Sequence, residues 1–132
     1  MKESRHLETG KWGEKVAAKA LKKKGYKILG KRVRIGTRDE LDLIARDGKV
    51  LVFVEVKTRA SENYGSPISS VNRHKRHTLS RAAVRYIKKL KNPHVYFRFD
   101  VVEVVGQMDS GESPVVRHIE NAFPLDSCYS LP

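Results

Sequence analysis

The residues whose types and spacing carry the most chemistry are Asp42, Glu55 and Lys57. They lie in two apolar stretches, 40–45 and 49–57, joined by Asp47-Gly48, a dipeptide that favours a tight hairpin turn. With Asp47-Gly48 as a two-residue turn, Arg46 faces Lys49, Asp42 faces Phe53, and Glu40 faces Glu55. Side chains alternate along a strand, so Asp42, Glu55 and Lys57 fall on one face. Asp42 and Glu55 become diagonal neighbours, about 7–8 Å apart at the backbone. Two carboxylates at that separation can close on one hard cation. Phosphodiester cleavage needs charge neutralised at the phosphate and a water activated. Mg²⁺ held by one or two carboxylates and several waters supplies both. An ammonium two residues after the glutamate, on the same face, can steer that water or meet developing charge. The plainer alternative is two frayed strand-end residues in a surface ion pair, because Glu-x-Lys is a common string. Against it, charges clustered at one end of an apolar strand are costly unless used.

Glu14 has Ala17, Ala18 and Leu21 as its helical neighbours, at the margin of an apolar stripe and away from the lysines. It reads as ordinary helix surface or, taken with Asp42 and Glu55, as an outer ligand. Glu40 is the rival ligand, directly opposite Glu55 in the expected register. A second helical stretch is crowded with base, from Arg73 through Lys89, and no acidic residue lies between Asn72 and Lys91. With nothing on that helix to offset them, Arg73, Lys75, Arg76 and Arg81 are expected at nucleic-acid phosphates. Lys75 is the first candidate, about two turns beyond the loop nearest the site. His74 and His77 have the spacing of a metal pair, but the sequence offers no second pair to complete a zinc site. Trp12 and Tyr86 read as core. Asp100 and Glu103 fall on different faces of one strand and are assigned no catalytic role.

The elements that must position these residues are legible from periodicity. Trp12, Val16, Ala17, Ala20 and Leu21 mark an amphipathic helix of about four turns that ends at Gly25 after three lysines. Strands are expected at 26–35, 40–45 and 49–57, the last apolar on both faces until its end and therefore central. A polar loop spans 58–66. A second helix is expected over 67–91, with Val71, Thr78, Leu79, Ala82, Tyr86 and Leu90 as its stripe and Asn92-Pro93 as its stop. A long strand follows at 95–105, and an edge strand at 115–123. The order α-β-β-β-α-β-β implies an α/β domain with a mixed sheet flanked by helices.

At 132 residues, 39% hydrophobic and 32% charged, the chain suits one globular domain with a core at about 10–123 and an irregular tail at 124–132. The net charge of +12 calls for an anionic partner, nucleic acid before a membrane surface or an acidic protein. Cys128 is the sole cysteine, which excludes an internal disulfide, fits a reducing compartment and reads as incidental. The opening ten residues lack the apolar stretch of a signal peptide, and no run is long enough for a bilayer, so a cytoplasmic protein without membrane contact is expected.

Gly13-Glu14, Gly25-Tyr26, Glu40-Leu41-Asp42-Leu43-Ile44-Ala45 and Val52-Phe53-Val54-Glu55-Val56-Lys57-Thr58 together resemble the YraN-type endonuclease family. Phe99-Asp100-Val101-Val102 and His118-Ile119-Glu120-Asn121-Ala122-Phe123 extend the resemblance over roughly residues 10 to 123. That family belongs with the restriction-endonuclease-like PD-(D/E)xK nucleases and is similar in layout to archaeal Holliday-junction resolvases. The resemblance implies that Asp42 and Glu55 are metal ligands, Lys57 the catalytic lysine, and Glu14 the helix glutamate of the family. Relatives often carry glycine where Asp39 stands here, and asparagine with an aromatic residue in place of Arg32-Val33. The expected function is Mg²⁺-dependent hydrolysis of DNA, with Mn²⁺ a possible substitute and branched or non-duplex DNA favoured. In the expected mechanism Asp42, Glu55 and the Val56 carbonyl hold the metal and Lys57 orients the water. RNA stays open as a partner, a homodimer is possible by analogy with the resolvases, and the rival reading is a nuclease fold that binds without cutting.

Overall fold

The computed structural model describes residues 2–61, 71–91 and 94–129. Seven elements follow one another: α1 (Lys2–Lys23), β1 (Lys27–Ile35), β2 (Asp39–Asp47), β3 (Val50–Arg59), α2 (Arg73–Lys88), β4 (Tyr96–Val105) and β5 (Val115–Phe123). The strands form one sheet in the order β1-β2-β3-β4-β5. Every pairing is antiparallel except β3 with β4, which run parallel. A parallel pair needs a crossover, and α2 lies in that connection. β3 is central, as its apolar character on both faces requires. The result is the expected α/β fold, a mixed sheet with helices, consistent with a restriction-endonuclease-like core.

Alternation along the strands divides the core in two. α1 lays Ala17, Ala18 and Leu21 against Leu43, Ala45, Val52, Val54, Val102 and Val104. α2 lays Leu79, Ala82, Ala83 and Ile87 against Ile44, Leu51, Phe53, Phe99 and Val101 on the other face. Each fully buried large side chain here contributes about 1.5–3 kcal/mol, and two such layers fix the sheet between its helices. Trp12 packs on the first cluster, and Tyr86 on the second with its ring edge-on to Phe53 at 5.8 Å.

Three differences from the sequence expectation bear on the site and its helices. α1 begins at Lys2, ahead of the apolar stripe that marks it, because good helix formers such as Lys, Glu and Leu carry it outward. α2 begins at Arg73, not at 67, because Asn72 is extended and its side chain caps the helix by accepting from the Lys75 N–H at 2.9 Å. Residues 67–70 and Asn92-Pro93 lie outside the described residues, but α2 ends at Lys88 with Lys89 as its cap, short of the expected end at 91. The third difference matters most to the site. The hairpin turn is Gly48-Lys49 with Asp47 paired to Val50, not Asp47-Gly48. Gly48 takes the first central position at φ +59°, where a type II′ turn places glycine. Asp47 stays in the strand, its carboxylate accepting from Arg98 Nη1 at 3.2 Å.

Candidate active site

The turn correction slides β2 along β3 by two residues relative to the expected pairing. A two-residue slip keeps every side chain on its face, so the shared face of Asp42, Glu55 and Lys57 survives while their partners change. Pairing runs to Leu43 opposite Val54 and ends there, so Phe53 faces Ile44 and not Asp42. Beyond the last pair the Asp42 side chain bridges the two strands, Oδ2 accepting from the Val56 N–H at 2.9 Å. Glu40 therefore loses the place opposite Glu55. It turns to β1 instead, with Arg32 at 3.8 Å and Arg34 at 3.9 Å.

Glu55 is only 5% exposed, and its Oε2 has no hydrogen-bond partner. Lys75 Nζ stands 3.5 Å from that oxygen, an ion-pair contact at the limit of hydrogen-bond distance and without a directed bond. Burial pushes the Glu55 carboxyl up to about 8, helped by a hydrogen bond to Asp42, which only the protonated acid donates, and by the Asp42 charge. Lys75 and then Lys57 work against that rise. A buried carboxylate with an unpaired oxygen beside a second carboxylate is unfavourable unless protonated or joined by a cation. The donor set is hard oxygen, which suits Mg²⁺.

Glu14 approaches from the other helix. Gly13 permits it, since a Cβ there would overlap the Thr58 hydroxyl at the end of β3. Glu14 is 8% exposed and accepts from Arg32 Nε at 2.7 Å. Burial and the Asp42 charge raise its carboxyl, while the Arg32 hydrogen bond and charge oppose the rise. Its oxygens do not close with those of both Asp42 and Glu55 to within 4.8 Å, so the three carboxylates are neighbours without forming one cage. Arg32, which sequence reasoning passed over, links Glu14 to Glu40 and sits at φ +47°. Asparagine tolerates that left-handed conformation far better than arginine, and nothing in the arginine's own type signals its position.

The four basic residues expected at phosphates separate in space. Lys75 points at Glu55. Arg76 donates from Nε to the Val71 carbonyl at 2.9 Å and lies over the Phe123 ring at 5.3 Å. Arg81 makes a two-pronged contact with the buried Asp39, at 2.9 and 2.7 Å, and its hydrogen bond holds that carboxyl below the usual range. Arg73 is exposed, as are His74, Arg85, Lys88 and Lys89. A cavity of about 260 Å³ lined by Arg38, Glu40, His74, Lys75 and Arg81 opens between the β1–β2 turn and α2. Asp100 and Glu103 are both buried in ion pairs, with Arg98 and His118 around the first and Arg59 and Arg117 around the second.

Comparison with known proteins adds kinship. The family model described as "Uncharacterised protein family UPF0102" matches residues 13–104. The chain is similar to UPF0102 protein CT2262 of Chlorobaculum tepidum, at 42% identity over 118 residues, covering 86% of this chain and 90% of that protein. It is similar also to a UPF0102 protein of Geobacter metallireducens, at 41% identity covering 88% and 92%. UPF0102 protein TTE1452 of Caldanaerobacter subterraneus shares 42% identity, covering 93% of this chain and 100% of that protein.

Proposed function

The chain belongs to the UPF0102 family, the YraN-like proteins, and we propose that it is a divalent-metal-dependent DNA endonuclease. The observation that carries this reading is Glu55, a carboxyl group 5% exposed with one oxygen lacking a hydrogen bond, set against Asp42 and flanked by Lys57 and Lys75. A surface ion pair at a frayed strand end does not account for a glutamate so buried. Asp42 and Glu55 would hold Mg²⁺, or Mn²⁺ in its place, with the carbonyl of Val56, a residue whose own N–H donates to Asp42. The metal, when bound, supplies charge neutralisation at the phosphate and a more acidic water.

The remaining work falls to this chain's own side chains. Lys57 follows Glu55 by two residues on the same face and orients the attacking water for in-line displacement of the leaving oxygen. Lys75 balances the charge of Glu55 and stands ready for a phosphate oxygen. Glu14, kept in place by Arg32, acts from outside the pair of ligands. Arg73 and the exposed cations of α2 meet the backbone of the nucleic acid, drawn by a chain of net charge +12. Branched or non-duplex DNA is the favoured substrate class. A two-fold dimer would supply two sites where both strands of a junction are cut, and light scattering with and without DNA checks it.

The test is cleavage of branched, flapped, single-stranded and duplex DNA, and of an RNA hairpin, with Mg²⁺ or Mn²⁺ against an EDTA control. Asp42→Asn and Glu55→Gln should abolish cleavage and leave binding intact or improved, since each removes negative charge near the phosphate. Lys57→Ala should stop cleavage and weaken binding modestly. Wild-type protein that binds these substrates and cuts none with either metal would replace the enzyme by a binding module on a nuclease fold.

A further inference from the structure

We propose that His77, Asp126 and Cys128 form a second metal site, for Zn²⁺ or a similar borderline transition ion, that clamps the chain after β5 onto α2. In the sequence His77 has only His74 at metal spacing, and Cys128 looks incidental. Folding gives both different company. After β5 the chain returns across α2, where the Asp126 N–H donates to the hydroxyl oxygen of the fully buried Ser80 at 3.0 Å. The return brings one imidazole nitrogen, one carboxylate oxygen and the thiol within 4.8 Å of one another, the only such trio among the described residues.

The local bonding leaves the right atoms facing inward. Asp126 Oδ1 accepts from the Cys128 N–H at 3.0 Å, which holds the cysteine beside the carboxylate and leaves Oδ2 facing His77 Nδ1 at 3.1 Å. Tyr129 lies against the imidazole with ring centroids 5.1 Å apart, and its hydroxyl meets Nε2 at 3.0 Å. A hydroxyl both donates and accepts, so it steadies the ring in either tautomer. Nδ1 is then the nitrogen whose occupant changes, a proton in the metal-free protein and a metal in the loaded one. An oxygen partner on the far ring nitrogen is also what orients histidines that ligate metals.

The donor set selects the ion. Imidazole and thiolate beside one carboxylate suit Zn²⁺ and its neighbours and are poor ligands for Mg²⁺. Tetrahedral zinc at ordinary bond lengths sets ligand atoms about 3.5 Å apart. The trio needs to draw in by about 1.3 Å at most, and Cys128 is exposed, where such a movement meets little packing. Three protein ligands leave a fourth position for water. The site is separate from Asp42 and Glu55, but it grips the helix whose Lys75, two residues before His77, reaches Glu55.

Because Cys128 is the only cysteine, a thiolate-to-Co²⁺ charge-transfer absorption can arise nowhere else in this protein. The experiment titrates untagged, reduced full-length chain with Co²⁺ under excess Mg²⁺, which fills hard-oxygen sites. The charge-transfer band should saturate at one equivalent and vanish when Zn²⁺ is added. It should be absent from Cys128→Ser, and lost or weakened in Asp126→Asn and His77→Gln. As a readout independent of cobalt, Zn²⁺ at about 100 times its Kd should raise the wild-type Tm by a few degrees and leave Cys128→Ser unmoved. No charge-transfer band at equimolar Co²⁺, or a band of equal strength in Asp126→Asn and His77→Gln, would overturn the site.

Discussion

If Glu55 is a metal ligand, its proton must leave before the metal enters, and metal affinity must climb with pH. The Glu55 carboxyl stands at about 8, so at pH 7 roughly one molecule in ten carries the ionised form and at pH 6 roughly one in a hundred. Displacing that proton costs about 1.4 kcal/mol at pH 7 and about 2.7 kcal/mol at pH 6. Affinity for Mg²⁺ or Mn²⁺ should therefore rise about tenfold per pH unit from 6 to 8 and level off above. Calorimetric titration in buffers of different ionisation enthalpy measures both quantities together. Close to one proton should be released per metal bound at pH 6–7, and almost none at pH 9. Glu55→Gln should bind weakly, with no slope. Affinity that stays constant between pH 6 and 8 in the wild type would mean that Glu55 either ionises normally or takes no part in binding, and the reasoning would fail.

The same carboxyl links stability to pH in the metal-free protein. Its folded pKa is raised above the unfolded value near 4.5, so its stabilising contribution is complete below that value and is lost as pH rises through about 8. Glu55→Gln, which cannot ionise, should match the wild type near pH 4.5 and exceed it by on the order of a few kcal/mol at pH 9, as read by urea denaturation in EDTA. Gly13→Ala should cost about 1–3 kcal/mol by forcing α1 off Thr58, and should slow any cleavage by moving Glu14; Tm and turnover measured on one preparation check both. Arg81→Ala should destabilise by about 1–2 kcal/mol, because it strips the buried Asp39 of its partner. Arg73→Ala, by contrast, should change stability little and flatten the log–log salt dependence of DNA binding by about 0.9.

The elements were legible because their signals are local. Period-2 and period-3.6 patterns fixed five strands and two helices in order, and the all-apolar run of β3 gave its central place. What sequence could not resolve was which pair of residues turns the hairpin. Asp47-Gly48 and Gly48-Lys49 differ by one step, and the choice rests on the φ of Gly48 and on the hold of Arg98 on Asp47 from a strand 51 residues away. The face of Asp42 and Glu55 was nevertheless readable, since the error was an even slip. For α2 the charge count was right and its meaning was mixed. Asp39, Val71, Glu55 and Phe123 engage Arg81, Arg76 and Lys75 from other elements, and no helical projection contains those partners. The neighbours of His77 were illegible for the same reason, Asp126 arriving from 49 residues further on.

Those internal engagements change how the charge of the protein should be understood. Around the site, the carboxylates of Glu14, Glu40, Asp42 and Glu55 lie among the cations Arg32, Arg34, Lys57 and Lys75, so even with Glu55 protonated the site holds little of the +12 excess. Such a site would not attract a divalent ion by net charge. It would attract one through the buried Glu55 oxygen that lacks a hydrogen bond, whose cost of burial a metal would relieve, and with the ion bound the site would be positive toward phosphate. On the proposed reading, nucleic acid would be gathered by the exposed base of the surface and admitted to the carboxylates once a metal is in place. This division of labour explains why removing a carboxylate should spare DNA binding, whereas removing exposed base should not.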